Sequence, residues 1–353
     1  MSSRIEVLES VRELMSERAI DALLIPSTDP HLGEYVPEMW KTVKWLTGFT
    51  GSAANVVITK NFAGLWTDSR YFIQAERELA DSGFELVKLK VPHTPEYINW
   101  LSENLPKDST VGIDGNVFPV GIARLLGDKF KNKKITIDIF QELIYKLWSD
   151  RPSLPSDHAF EHDIRFAGVS RSEKIDKVRE KMEEMNVDFQ LLTSLDDIAW
   201  FLNIRGADVK YSPLFTSFAL VSMEQVLLFA DEDRLPGNLK SAFDKCGVTI
   251  LPYEDIQTII AQLPDSRSIL ISPGTTSVSI FDSIPKGMAI IEEVPIPARL
   301  KAIKNSVEQK GIREVMVRDG IALTNFFYWL EKSLGKEKIT EVSAAKRLLD
   351  FRK

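Results

Sequence analysis

A single cysteine, Cys246, occurs in 353 residues, so no disulfide can form within the chain and a reducing compartment is expected. Unbroken apolar runs of about 18 residues are missing, which removes the sequence signal of a transmembrane helix. The opening Met1-Ser2-Ser3-Arg4-Ile5-Glu6 has no apolar core of the secretory kind and leads straight into an acidic amphipathic helix. Basic residues number 44 against 51 acidic ones, and long basic runs are missing too. The net charge of −7 argues against a phosphate-binding surface, so neither nucleic acid nor membrane is an expected partner. An HExxH pair, paired CxxC motifs and a P-loop lysine signature are all lacking. What is present is ordinary globular usage, 44% hydrophobic and 27% charged, in a chain too long for one typical domain. The expectation is a soluble cytoplasmic protein of two or three domains.

Two segments of the chain are alike. Val11-Arg12-Glu13-Leu14-Met15 followed by Ile20 to Ile25 reads as an amphipathic helix entering a buried strand. Val178-Arg179-Glu180-Lys181-Met182 followed by Val187 to Leu192 repeats the plan. Trp45 to Gly51 is echoed by Trp200 to Gly206, and each is followed by two strand-like runs joined by a turn. These are Ala54 to Ile58 with Gly64 to Thr67, and Phe218 to Val221 with Gln225 to Phe229. The predicted class is α/β: one domain duplicated, each copy a mixed sheet flanked by helices. A boundary is expected within Ser149 to Gly168, where Pro152 and Pro155 interrupt the pattern.

A third element starts near the stiff Pro295-Ile296-Pro297. Asn305 and Ser306 stand before Glu308 and Gln309 at capping-box spacing, and apolar residues from Ile312 to Leu330 recur at helical spacing. This helix is predicted to end near Gly335, with a second running from Glu341 to Phe351. About 50 residues of helix cannot enclose a core. If the chain ends at Lys353, the stripe is expected to pack on the second domain, self-associate or fray.

Three stretches resemble the first domain of the three-domain aminopeptidase P enzymes: Ile25 to His31, Gly48 to Ala53, and Leu65-Trp66-Thr67-Asp68-Ser69-Arg70-Tyr71-Phe72. Leu195 to Gly206 resembles that family's second domain, Leu147 to Pro152 its interdomain segment, and Lys304 to Lys332 the first helix of its catalytic domain. The resemblance spans the chain in order. It implies creatinase-N-terminal-like (ribonuclease H-like) domains at 1–150 and 165–297, with 298–353 as the first helices of a truncated pita-bread domain. The implied activity is metal-dependent release of the N-terminal residue from peptides with proline second. That bond is a tertiary amide without an N–H, so it needs a dedicated site. In this family two divalent ions, commonly manganese, are held by two Asp, one His and two Glu of the later domain. None of those ligand motifs has begun by Lys353, so no catalytic or metal-binding residue and no cofactor is expected in this chain, which alone is expected to be inactive. The full-length parent is expected to be a homodimer. The alternative is a non-catalytic peptide- or protein-binding module, since creatinase-like domains also serve recognition in a histone-chaperone subunit.

Within this frame Arg70 is the candidate for substrate binding, because the arginine of this motif can reach the active site and a guanidinium suits a carboxylate or carbonyl. The plainer role is an ion pair with Asp68. Asp29 and His31 are further candidates, with turn capping after the strand as their plainer role. His158 and His162 have metal-like i, i+4 spacing but read as solvated linker residues. Asp196 and Asp197 read as helix-capping carboxylates rather than a catalytic pair. Gly48, Gly51 and Ser52 read as a tight turn as readily as an anion nest. Trp45, Trp66 and Trp200 are expected in the core.

Overall fold

The computed structural model describes residues 3–92 and 94–353, so Met1, Ser2 and His93 lie outside the described residues. Ser3 starts the first helix, Arg4–Glu17, through a reciprocal capping box with Glu6, and the helix buries Leu8, Val11 and Met15 along one face. The chain then enters β1 (Ala22–Pro26), buried at every position. β2 (Asn55–Thr59) and β3 (Ala63–Thr67) form an antiparallel hairpin beside it. β4 (Glu85–Lys88), β5 (Thr110–Asp114) and β6 (Thr136–Phe140) complete a six-stranded sheet in the order β4-β3-β2-β1-β5-β6. Alternation sends Leu23 and Ile25 to a core with Val11 and Leu46, and Leu24 to the opposite one with Trp66 and Ile113. Burying each such side chain stabilises the lobe by about 1.5–3 kcal/mol.

β7 (Phe160–Glu161) ends the irregular segment that follows and pairs with β9 (Ile204–Arg205). Between them a second capped helix, Arg171–Glu184, leads into β8 (Phe189–Leu192). β10 (Phe218–Ser222), β11 (Val226–Phe229), β12 (Val248–Leu251), β13 (Ser268–Ile271) and β14 (Ala289–Glu292) follow. The second sheet has the order β12-β11-β10-β8-β13-β14. Strand for strand, its parallel and antiparallel pairings repeat those of the first. The predicted duplication is therefore present in three dimensions.

The lobes are stitched backbone to backbone. Val120 and Ser279 donate to Thr276 and Gly115 at 3.1 and 2.9 Å, and Val278 and Gly121 donate to Phe118 and Pro273 at 2.9 Å each. Gly115 permits this approach, for a Cβ there would lie 2.5 Å from Ser279 Oγ.

The third element begins as read: Asn305 and Glu308 form a capping box, and the helix runs Ser306–Ser333. Its N-terminal end is held on the second lobe, where Asn305 Nδ2 donates to Ala167 O at 2.8 Å and Trp200 Nε1 to Glu308 at 3.2 Å. Farther on, Ala322 is the residue it buries, while Met316 and Ile321 remain 63% and 60% exposed. The helix Glu341–Arg352 folds back on it through an Arg352–Asp319 ion pair and Arg347 over Trp329. Trp66 is fully buried as expected, whereas Trp45 and Trp200 are half-buried. Trp45 stacks on Trp148 at 5.2 Å, and Trp200 needs its edge free to donate to Glu308.

Candidate functional site

Strand β3 ends at Thr67, and Asp68 turns the chain. Its carboxylate accepts from Arg70 N at 3.1 Å, and its carbonyl accepts from Tyr71 N at 3.0 Å. The same carboxylate takes the Arg70 side chain bidentately, Nε to Oδ1 at 2.9 Å and Nη2 to Oδ2 at 2.8 Å. Asp68 is buried and Arg70 is 51% exposed, so the pair presents a fixed guanidinium at the surface. The carboxylate raises the arginine's already high pKa and keeps it charged. Two of its five donors are engaged by Asp68, and a planar fork held this way can take a second carboxylate or a carbonyl.

Arg70 stands between two hollows. One, about 340 Å³, lies over Thr28, Asn55, Asp68 and Tyr97. The other, about 530 Å³, lies between Tyr35, Lys44, Ser52 and Tyr71 of the first lobe and Val209 to Tyr211 of the second. Gly51 stands at its edge, where a Cβ would meet Phe49 and Tyr71, and Ser52 Oγ shares a 2.8 Å hydrogen bond with Tyr71 OH. Gly48, with φ +85°, ends a helix, so packing and turn geometry account for all three residues.

Asp29 and His31 are not brought beside Arg70 in that exposed setting; both are fully buried at the junction of the lobes. Asp29 caps the turn, accepting from His31 N at 2.9 Å and Gly33 N at 3.4 Å. His31 crosses to the second lobe. Its Nδ1 lies 2.9 Å from Thr193 O, which fixes the proton on that nitrogen, and Nε2 accepts from Tyr253 OH at 2.9 Å. Phe218 lies tilted against the ring at 4.3 Å and Trp40 meets it edge-on at 6.4 Å. Burial lowers the pKa of His31 to about 4 and raises that of Asp29 to about 6.

Models of the creatinase/prolidase N-terminal domain match residues 8–147 and again 150–308. The Xaa-Pro aminopeptidase ApepP of Drosophila melanogaster is 35% identical across 99% of the chain and 59% of its own length. A probable Xaa-Pro aminopeptidase P of Laccaria bicolor is 35% identical across 98% of the chain and 55% of its own length. A Caenorhabditis elegans X-prolyl aminopeptidase, described as cytosolic with a di-nuclear active site, superposes with a TM-score of 0.92 at 30% identity. That superposition covers 99% of this chain and 60% of the worm enzyme. The chain belongs to the aminopeptidase P family. It spans somewhat over half the length of these relatives.

A metal pair in this family member would need a converging donor set. Among the described residues no three His, Cys, Asp or Glu side chains come together as one. His158 is exposed, and His162 packs on Phe166 at 6.0 Å with its pKa lowered by partial burial and then by Arg205 and Lys174, surroundings that repel a cation. The described residues do not fit a dinuclear centre. Asp196 and Asp197 sit in the first turn of the helix Leu195–Phe201, but Ser194 makes no side-chain cap there. Lys301 instead bridges both carboxylates, with Asp197 at 2.7 Å. Among the described residues no helix is long and apolar enough to cross a membrane.

Sequence reasoning missed Thr193, Tyr253, Lys210 and Tyr211. His31 and Tyr253 are 222 positions apart, and no local pattern announces such a partner.

Proposed function

We propose that this chain forms the two non-catalytic lobes of a metal-dependent Xaa-Pro aminopeptidase, together with the opening helices of its catalytic domain. The lobes are assigned to residues 1–150 and 165–297, and the opening of the pita-bread domain to 298–353. The observation that carries this is 35% identity sustained over 98–99% of the chain to relatives named as Xaa-Pro aminopeptidases. The exposed apolar face of the helix Ser306–Ser333 supports it, because such a face needs a cover, and the remainder of the catalytic domain is the cover we assign.

The lobes bound the cleft, limit substrate length and offer Arg70 to the peptide backbone or its carboxylate. Asp29 and His31 serve the same edge indirectly, by holding the junction that fixes the orientation of the lobes. Hydrolysis itself is assigned to two divalent ions, proposed to be manganese, held by residues outside this chain. The parent is proposed to be a cytoplasmic homodimer joined through the catalytic domain, acting on peptides with proline second.

The test is to read the reading frame past the codon for Lys353 and assay its product on proline-second peptides. Continuation into two Asp, one His and two Glu, with turnover of such peptides, is the expected result. A stop codon at that point, or an intact ligand set without turnover, would overturn the proposal.

A further inference from the structure

The loop joining β9 to β10 reaches from the second lobe to the hollow beside Arg70. Its base is firmly held: Asp208 accepts from Thr216 N at 2.6 Å and pairs with Arg234, both side chains buried. Arg234 also donates to Asp157 O at 2.8 and 3.0 Å and packs over Phe215 at 4.6 Å. From that base Ser212 N closes a tight turn onto Val209 O at 3.0 Å, which puts Lys210 and Tyr211 at the tip.

Tyr211 has φ +66°, the left-handed region that favours glycine, and its side chain is 91% exposed. A bulky ring is therefore held in an unfavourable backbone conformation, with the Lys210 ammonium 5.0 Å from its centroid. Neither turn chemistry nor packing asks for tyrosine there, and strain of this kind gathers at functional sites.

The tip faces a mixed surface. Tyr35 and Tyr71 line the hollow together with the buried Trp40 and Phe49. Lys41, Lys44, Arg70 and Lys210 line the hollow against Glu34. Glu38 pairs with the first two and Asp68 with Arg70, and Lys210 is in no ion pair among the described residues. Counting those two carboxylates and Glu78, which holds the lining Thr50 and Gln74, the charges of the hollow balance on a chain of −7, and Lys210 has no carboxylate partner among the described residues. A small inorganic anion would use the cations alone; a peptide's terminal residue uses a ring face and a charge together.

We infer that the Lys210–Tyr211 turn is the far wall of a subsite for the carboxylate end of a short peptide. Tyr211 and Tyr71 flank the terminal side chain, while Lys210 and Arg70 face the carboxylate. The direction of the peptide rests on the aminopeptidase proposal; the binding itself does not.

The experiment is an NMR titration of this chain with Ala-Pro-Gly-Phe as the free acid and as its C-terminal amide. It is repeated with Tyr211→Ala, Lys210→Ala and Tyr211→Phe. The acid is expected to shift resonances of residues around the hollow, and amidation or Lys210→Ala to weaken binding about fivefold, the scale of one partly screened charge pair. Tyr211→Ala should weaken it by a similar factor and Tyr211→Phe should restore it. An amide that binds as tightly as the acid, or a Tyr211→Ala chain that binds as tightly as the parent, overturns the inference. Turnover by the full-length protein is scored separately. Turnover without peptide binding here sinks this subsite alone, and binding here without turnover sinks the peptidase proposal alone.

Discussion

Replacing Asp29 with Asn should make the protein sensitive to acid in a way the parent is not. His31 and Asp29 titrate against each other at the lobe junction. As pH falls below 6.5 the unfolded chain takes up a proton on His31, but the folded protein does not until about 4. Stability is therefore lost as pH falls through that window, by about 3 kcal/mol at about 1.4 kcal/mol per pH unit. Asp29 acts with the opposite sign. The folded protein protonates it near 6 and the unfolded chain only near 3.8, so stability is gained as pH falls between them, again by about 3 kcal/mol. The two contributions nearly cancel in the parent. Tyr253 is the further titratable group against the ring; burial, and secondarily Asp29, raise its pKa, so it stays protonated across this range. Asp29→Asn keeps an oxygen for the N–H groups of His31 and Gly33 but removes the compensating proton. Urea unfolding of both proteins at pH 7 and pH 4.5 should show the variant losing about 2 kcal/mol more than the parent between those values. Other titrating groups are common to both proteins and drop out of the comparison. Equal pH dependence in the two would refute the account.

Arg70→Ala withdraws two charge-assisted hydrogen bonds from the buried Asp68 carboxylate, so the thermal midpoint of this chain should fall modestly with the first lobe still folded, while kcat/KM of the full-length enzyme falls about tenfold. Unchanged kinetics with a lowered midpoint would leave Arg70 a purely structural residue. Gly115→Ala would press on Ser279 Oγ across the junction and on Ile139 within its own lobe, and should cost about 1–3 kcal/mol, read as a drop in the urea midpoint. Lys301→Ala strands the buried Asp197 and should cost about 2 kcal/mol by the same measurement. Adding Asp197→Asn should recover part of that loss, and no recovery would mean that the ion pair is not the reason for it.

What was legible in the sequence was whatever repeats locally. Val11 and Met15, or Val178 and Met182, mark their helix faces by spacing, and Asn305 with Glu308 marks a helix start by its hydrogen-bonding chemistry. The edge strands β4 and β14 carry exposed or half-exposed residues, and no hydrophobic alternation announced them. The candidate site was read less well because its contacts are distant. Arg70 and Asp68 are two residues apart and their pairing was anticipated. The burial of Asp29 and His31 depends on Thr193, Phe218 and Tyr253, which the second lobe brings from far along the chain. Asp196 and Asp197 looked like caps because Lys301, their actual partner, is 105 positions away from Asp196.

The stitch between the lobes has a symmetry of its own. Val120 follows β5 in the same place as Val278 follows β13, and each opens a helix. Val120 donates to Thr276 while Val278 donates to Phe118, the counterpart of Thr276; Gly121 to Pro273 and Ser279 to Gly115 are likewise counterparts. Pro119 and Ser277, themselves equivalent, meet where the axis passes. This is the geometry of an isologous dimer folded into one polypeptide, in which a single patch recognises its own copy. A lone lobe with that patch would be self-complementary, and joining two copies in one polypeptide makes the contact intramolecular. All four bonds are main-chain, so the dyad is carried by backbone position rather than by any one side chain.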